Sequence, residues 1–400
     1  MNLRLFIPFF DTSAQGWASE ARWLRWITFL WLLIGLAVVF SASYAVADAD
    51  RGDGFYYFKV QILWILVGLV GFNLVVHSPL RYIVGVADWF LVIILGLILI
   101  TAIPGFGTSI NGATRWLFLG PFQIQPSELI KPFLVLQSAR IFGQWDRLKR
   151  GTRALWLGIF GLVLVGILLQ PNLSTPALCG MLLWFVALAA GLPYTYMGGT
   201  ALAGVGLAII SVSFRSYQRR RILSFLNPWA DATGDGYQLV QSLLAVGSGG
   251  HWGTGFGLSQ QKLFYLPIQY TDFIFSVFAE EFGFIGCLLL MVMLLAYASL
   301  ALRVAMKTQN PVYRLVAIGV MVLMVGQSLL NIGVATGALP TTGLPLPLFS
   351  YGGSSMISSL MSAGLLIRVA RESNEAKVVR LDDRRQPKGM KGRSESPRTT

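Results

Sequence analysis

Apolar runs close to the thickness of a lipid bilayer recur along this chain, and nothing else in it restricts the fold so severely. A helix needs about 20 predominantly apolar residues to cross the hydrocarbon core, and within lipid every backbone N–H and C=O has to be paired inside the protein. Ten runs meet or approach that length, near 26–46, 60–76, 86–103, 128–142, 155–169, 177–192, 201–214, 273–300, 315–335 and 355–369. With 55% hydrophobic and 12% charged residues, the chain has too little polar surface to clothe a soluble globule of 400 residues. The expectation is an all-α polytopic membrane protein of about ten transmembrane helices. Residues 1–25 are expected to form a cytoplasmic N-terminal segment, 26–370 the membrane domain and 371–400 a basic, disordered cytoplasmic tail. The mixed-charge N-terminus lacks a small-residue cleavage site, so the first helix is expected to serve as its own insertion signal.

Basic residues set the expected orientation. Arg4, Arg22 and Arg25 precede the first run, Arg147, Lys149, Arg150 and Arg153 follow the fourth, and Arg303, Lys307 and Arg314 follow the eighth. By the positive-inside rule these segments are cytoplasmic, as is the Lys- and Arg-rich tail, so both termini are expected there. The net charge of +13 is then mostly topology. A nucleic-acid partner is not expected, because the tail's cations alternate with Glu372, Glu375, Asp382, Asp383 and Glu395 and no binding fold surrounds them. The final segment, QPKGMKGRSESPRTT, lacks the apolar residues needed to pack and is expected to be disordered.

Several chemistries are poorly supported. Cys179 and Cys287 sit among apolar neighbours inside expected spans, which favours buried thiols over a disulfide. His77 and His251 are too few for a histidine metal cluster. Neither a phosphate loop of the GxxxxGK[ST] kind nor a Ser/His/Asp nucleophile set is evident. No internal repeat stands out, which weakens a transporter built of inverted halves.

Three constellations carry the candidate chemistry. The first is YLPIQYTDFIFSVFAEEFGFIG, where Asp272 stands at the lip of an apolar helix that also carries Glu280 and Glu281. Ionisable groups at membrane depth are expensive and mark functional sites. Helical geometry predicts Asp272, Ser276, Ala279 and Gly283 on one small, polar face turned to the protein interior. The alternative is that Asp272 merely caps the helix N-terminus.

The second is the connection 215–271, far longer than most and expected to be an ordered extracytoplasmic loop between helices seven and eight. Its Gly-rich run GSGGHWGTGFGLSQQK can bring backbone amides close to a ligand. Arg215, Arg219, Arg220, Arg221 and Lys262 stand there against the positive-inside bias, which points to an anion such as phosphate or pyrophosphate. Lipid headgroups are the other reading.

The third constellation is PGFGTSINGATRWLFLGPFQIQPSELIKPF. Its Pro, Gly and Asn predict a loop over 104–120 that holds Arg115 and Trp116 at the interface. In the helix that follows, Ser127, Glu128 and Lys131 share a face, either as a self-satisfied ion pair or with Lys131 contacting a bound anion.

The blocks QPSELIKPFLVLQSAR, QPNLSTPAL, RRRILSFLNPWADATGDGYQLVQSLLAVGSGG, YLPIQYTDFIFSVFAEEFGFIG and ALPTTGLPLPLFSYGGSS, in that order, resemble the signature blocks of the shape, elongation, division and sporulation family. The likeness runs from about residue 40 to 368. It implies a peptidoglycan glycosyltransferase that polymerises lipid II at the outer face of the cytoplasmic membrane. It also implies a class B penicillin-binding protein and other division proteins as partners. The family's catalytic aspartate corresponds to Asp272, acting as general base in an inverting displacement of undecaprenyl pyrophosphate. Lys131, Arg115, Arg219, Arg220, Arg221 and Lys262 are candidates to stabilise the pyrophosphate, with Glu128 beside Lys131. A divalent cation, Mg or Mn, is implied by the resemblance alone, and the sequence spells out no ligands for it.

The chain departs from the family pattern at several points. Ile268 and Tyr270 stand where many relatives have Glu and His, Asn172 where many have Asp, and Gln123 near a position where some carry Arg. The LPTTGLPLPLFSYGGSS block, the polar N-terminal extension and the basic tail look closer to the septal members than to the elongation members. A lipid II flippase and an inactive division scaffold are the readings from other classes. Polar residues gathered at one side favour one-sided chemistry over transport.

Overall fold

Helices dominate because lipid leaves the backbone few other ways to pair its polar groups. The computed structural model describes residues 16–101, 108–110, 113–119, 122–170, 173–214 and 216–385, with Ala14 and Ile103. Arg215, Asn172 and the final segment from Gln386 lie outside the described residues. Three long helices open the fold: α1 (Ser19–Arg51), α2 (Tyr56–His77) and α3 (Leu80–Thr101). After the short strands β1 (Thr108–Ile110), β2 (Ala113–Leu119) and β3 (Phe122–Ile124) come α4 (Pro126–Gly143), α5 (Arg150–Leu169), α6 (Ser174–Ala189) and α7 (Tyr194–Phe214). The connection that follows contains α8 (Ser216–Leu226) and α9 (Tyr237–Ser248). The chain then returns as α10 (Ile274–Lys307), α11 (Pro311–Met321), a π-helical turn at Val322–Gly326, α12 (Gln327–Ala335) and α13 (Gly353–Arg385).

Among the described residues, eight helices are long and apolar enough to cross a membrane, with α11 to α12 counted as one of 25 residues. Each of the ten expected apolar runs falls on a helix. The two outside those eight are α6, with 16 residues, and α4, which carries Glu128, Lys131 and Arg140. The core lies where α13 packs on α2, α4, α1 and α11. Close approach is made possible by Gly68, where a Cβ would fall 2.6 Å from Leu360, and by Gly35, where one would fall 2.2 Å from the Leu348 carbonyl oxygen. α7 instead stands at the edge, packed on α6 and α8, with Met197 its one buried residue.

The expected loop over 104–120 is, in its described part, an antiparallel meander of β1, β2 and β3. The β-branched Thr114 and the aromatic Trp116 and Phe118 of ATRWLFL favour a strand over the turn residues around them, and Arg115 and Trp116 therefore sit on a strand.

In the long connection, the Gly-rich run lays part of its backbone against α10. α10 is broken at Gly283, whose φ of 64° and ψ of −166° are not helical. An unbroken helix would pair the N–H groups of Phe284 and Ile285 with the carbonyls of Glu280 and Glu281. Here the glycine run inserts and satisfies all four groups. Thr254 and Gly255 donate to Glu280 O and Glu281 O at 2.9 and 3.1 Å, while Phe284 and Ile285 donate to Gly250 O and His251 O at 2.9 and 3.1 Å. Gly249 and Gly253 permit this splice, since a Cβ would fall 2.2 Å from Ala279 O and 2.1 Å from Glu281 O, respectively. The side chains repeat the pattern. Glu280 accepts from Ser259 Oγ at 2.5 Å and from the Gln260 amide at 2.9 Å. Glu281 accepts from Lys262 Nζ at 2.7 Å and from Ser41 Oγ of α1 at 2.5 Å.

The start of α1, the end of α10 and α13 near Arg371 meet at one face of the bundle. The Arg371 guanidinium lies 4.4 Å from the Trp17 ring centroid, and Lys307, at the end of α10, pairs with Glu20. The segments before α10 and α13 meet at the opposite face, where Tyr351 N donates to Tyr270 O at 2.9 Å.

Candidate functional site

Asp272 sits just ahead of α10 rather than on it. The helix starts at Ile274 with Phe273 as its N-cap and no side-chain capping bond, so Asp272 is not a cap. The face predicted from helical spacing also ends early, because Gly283 is the break. Ser276 does turn inward, 2.6 Å from Ser242 Oγ of α9.

The carboxylate is instead held in a turn. Thr271 N donates to Ile268 O at 3.1 Å, and Thr271 Oγ1 donates to Asp272 Oδ1 at 2.8 Å. Asn331 of α12 fixes the backbone, its Nδ2 donating to Asp272 O at 2.6 Å and to Leu344 O at 2.8 Å. Ser350 Oγ donates to Thr271 O at 2.6 Å. Two residues near the site have left-handed backbones that cost non-glycine residues about 1–2 kcal/mol: Ile268 (φ 50°) in the segment leading to Asp272 and Leu348 (φ 59°) in the one facing it. Such strain persists only where surrounding contacts impose it, and it concentrates at functional sites.

Asp272 keeps partial solvent access. Burial raises its pKa above the usual carboxylate value, and the Thr271 hydroxyl, its own backbone amide and the charges of Arg221 and Arg115 partly offset that rise. Of the seven residues proposed to bind substrate, Arg115 on β2 and Arg221 on α8 thus act electrostatically on Asp272. Arg221 Nη1 donates to Thr341 O at 3.1 Å, which ties α8 to the segment beside the site.

Arg219 is exposed, and Arg220 lies 3.6 Å from Asp235. Successive residues on a helix point about 100° apart, so three arginines in a row present different faces. Lys131 is buried and held by Glu128 Oε1 at 2.6 Å and Gln327 Oε1 at 3.1 Å. Gln327 Nε2 in turn donates to Pro345 O at 2.6 Å, which connects the Glu128–Lys131 pair to the segment that Asn331 links to Asp272. Lys262 is buried and engaged with Glu281 and Ser41, where it fastens the connection to α10 and α1. Asn331 and Gln327 escaped the sequence reading, although two amide side chains one helical turn apart in an apolar run were a legible signal.

A resident divalent cation does not fit these residues. Among the described residues no group of three or more His, Cys, Asp and Glu side chains comes together, and Asp272 has cations rather than carboxylates acting on it. Where such an ion binds, its remaining ligands fall to substrate phosphates and water.

The chain matches the model of the FtsW/RodA/SpoVE family, described as cell cycle protein, over residues 22–375. It is 56% identical to a probable peptidoglycan glycosyltransferase FtsW from Synechocystis over 96% of this chain and 98% of that protein. A putative peptidoglycan glycosyltransferase FtsW from Mesostigma viride is 50% identical over 92% of this chain and 88% of that protein. Among solved structures, a chain of a peptidoglycan synthase complex in which polymerization and crosslinking are coordinated superposes with a TM-score of 0.72 at 28% identity, covering 90% of this chain and 98% of that one. The rod shape determining protein RodA of Thermus thermophilus superposes with a TM-score of 0.65 at 27% identity, covering 89% and 97%. This multi-pass membrane protein belongs to the FtsW/RodA/SpoVE family.

Proposed function

We propose that this protein is a peptidoglycan glycosyltransferase of the FtsW kind, polymerising lipid II at the outer face of the cytoplasmic membrane during septal wall synthesis. The observation that carries this reading is Asp272: a partly accessible carboxylate at one face of the bundle, flanked by the strained backbones of Ile268 and Leu348, with Arg115 and Arg221 acting on it. Its raised pKa makes its carboxylate a stronger base than that of an exposed aspartate. In the reaction we assign, the acceptor sugar's 4-hydroxyl loses its proton to Asp272 as its oxygen attacks the anomeric carbon of the donor. The bond from that carbon to undecaprenyl pyrophosphate breaks with inversion. Arg115 and Arg221 supply fixed positive charge for the departing pyrophosphate. Names of relatives support the septal role, and the likeness to a synthase complex supports a class B penicillin-binding protein as partner. The face bearing Asp272 is outermost in this reading, with both termini in the cytoplasm.

The test is glycan formation from purified lipid II by the protein together with its cognate penicillin-binding protein, whose transpeptidase is blocked. Asp272→Asn and Asp272→Ala are expected to lower the rate roughly 100- to 10,000-fold at equal folded yield, the range for loss of a general base. Polymer formed at an undiminished rate by either variant overturns the assignment. Translocation of lipid II in liposomes without polymer would instead indicate a flippase.

A further inference from the structure

Beside Asp272 lies an aromatic cluster that the reaction as derived does not use. Tyr57 at the start of α2, Tyr270 two residues before Asp272, and Tyr351 just before α13 come from three distant parts of the chain. The Tyr57 and Tyr270 rings stack with centroids 4.8 Å apart and planes 27° from parallel. Tyr351 meets both edge-on, at 5.3 Å from Tyr57 and 5.5 Å from Tyr270. None is fully buried, unlike Tyr297 in the core. They occur where α1 ends and α2 begins, near the exposed Asp48, Asp50 and Arg51.

The cluster is locked in register with Asp272. The Tyr351 amide donates to Tyr270 O, and Ser350 Oγ donates to Thr271 O. Gln61, one helical turn after Tyr57, donates from Nε2 to Ser350 O at 3.2 Å and accepts from Gly352 N at 3.3 Å. The Tyr57 and Tyr270 side chains also hydrogen-bond to each other, which phenylalanine filling the same space could not do. A partly exposed tyrosine offers a flat apolar face and a polar rim together. A pyranose ring is the complementary object, with C–H bonds on one face and hydroxyls round its edge.

We propose that Tyr57, Tyr270 and Tyr351 form a saccharide-binding floor that seats an amino-sugar ring of the glycan next to Asp272. The C–H face of the sugar rests on the negative face of an aromatic ring, and the phenolic hydroxyls bond to its equatorial groups. Burial raises the pKa of Tyr270, and that of Tyr351 to about 12, so both hydroxyls stay protonated donors at physiological pH. The role rests on the glycosyltransferase reading for its ligand class, but binding can be measured without turnover.

The test uses full-length protein in nanodiscs, deuterated except for protonated tyrosine, with chitotetraose as probe. Saturating the tyrosine ring protons should transfer magnetisation to the sugar. Replacing Tyr57, Tyr270 and Tyr351 together by deuterated phenylalanine keeps the packing and should cut that transfer at least threefold. Asp272→Asn should retain it. Undiminished transfer in the phenylalanine variant, or none in the wild type, overturns the floor. Failure of wild-type protein to polymerise lipid II, with transfer intact, overturns the enzymatic reading and leaves the saccharide site standing. In polymerising protein, Tyr351→Leu should also shorten the strands severalfold relative to the wild type, and strands of unchanged length would count against the proposal.

Discussion

Asp272 takes its acid–base character from burial, from the Thr271 hydroxyl and from the charges of Arg221 and Arg115. Periodicity placed it on a helical face, whereas the structure puts it in a turn stabilised by Thr271, Asn331 and Ser350. Those partners lie as many as 79 residues away, and a single sequence carries no record of which distant polar groups converge. The arginines show the same limit: three consecutive residues looked equivalent, and only the fold distinguishes Arg221, bonded to Thr341 O, from Arg219 and Arg220 at the surface. The two cations that act on Asp272 give a signed expectation for pH. Its folded pKa is raised, so the acid limb of the rate should lie above the ordinary aspartate value near 3.9. Arg221 favours the ionised carboxylate, hence Arg221→Gln should raise that pKa further and move the limb to higher pH. A rate profile against pH checks this, and a limb moving towards acid would contradict the electrostatic role.

At the scale of elements, α10 and the glycine run behave as one unit. Its glycines were legible as a place of close backbone approach to a ligand; the approach the structure shows is to the backbone of α10 at its break. That distinction depends on Gly283 leaving helical geometry, which nothing in FAEEFGFIG announces, since a lone glycine is tolerated in membrane helices. Gly253 (φ 82°) and Gly257 (φ 83°) offer a controlled comparison. Alanine at either position meets the left-handed backbone penalty of about 1–2 kcal/mol. At Gly257 a Cβ meets nothing within 4 Å, whereas at Gly253 it runs into the Glu281 carbonyl. Gly253→Ala should therefore destabilise the protein beyond Gly257→Ala by a further ~2 kcal/mol, read as a lower thermal midpoint in detergent. Equal midpoints would mean that the splice carries no stability.

Across the whole molecule, the helical, membrane-spanning character was readable from hydropathy, and each of the ten apolar runs lies on a helix, eight of the described helices being long and apolar enough to span; the meander of β1 to β3 was obscured by the glycine and proline around it. Also hidden was the buried tie among α1, the connection and α10, made by Ser41, Lys262 and Glu281. Sequence suggested Lys262 for an anionic substrate; the fold gives it a carboxylate within its own chain. Lys262→Met should destabilise the protein by about 3–5 kcal/mol by stranding Glu281, and adding Glu281→Leu should restore much of the loss. Thermal midpoints of the single and double variants decide it, and additive losses would argue against coupling. The splice at Gly283 also bears on how the chain enters the membrane. The residues that satisfy the broken helix, 250–255, precede it by only about 30 positions, so they emerge from the ribosome before the helix does. The open carbonyls of Glu280 and Glu281 can thus be covered as soon as that helix is released towards lipid, with no wait for the C-terminal third of the protein. The Lys131 to Gln327 bond, spanning 196 residues, has no such head start; until then Glu128 alone accompanies Lys131, and this half of the site is among the last parts to be assembled.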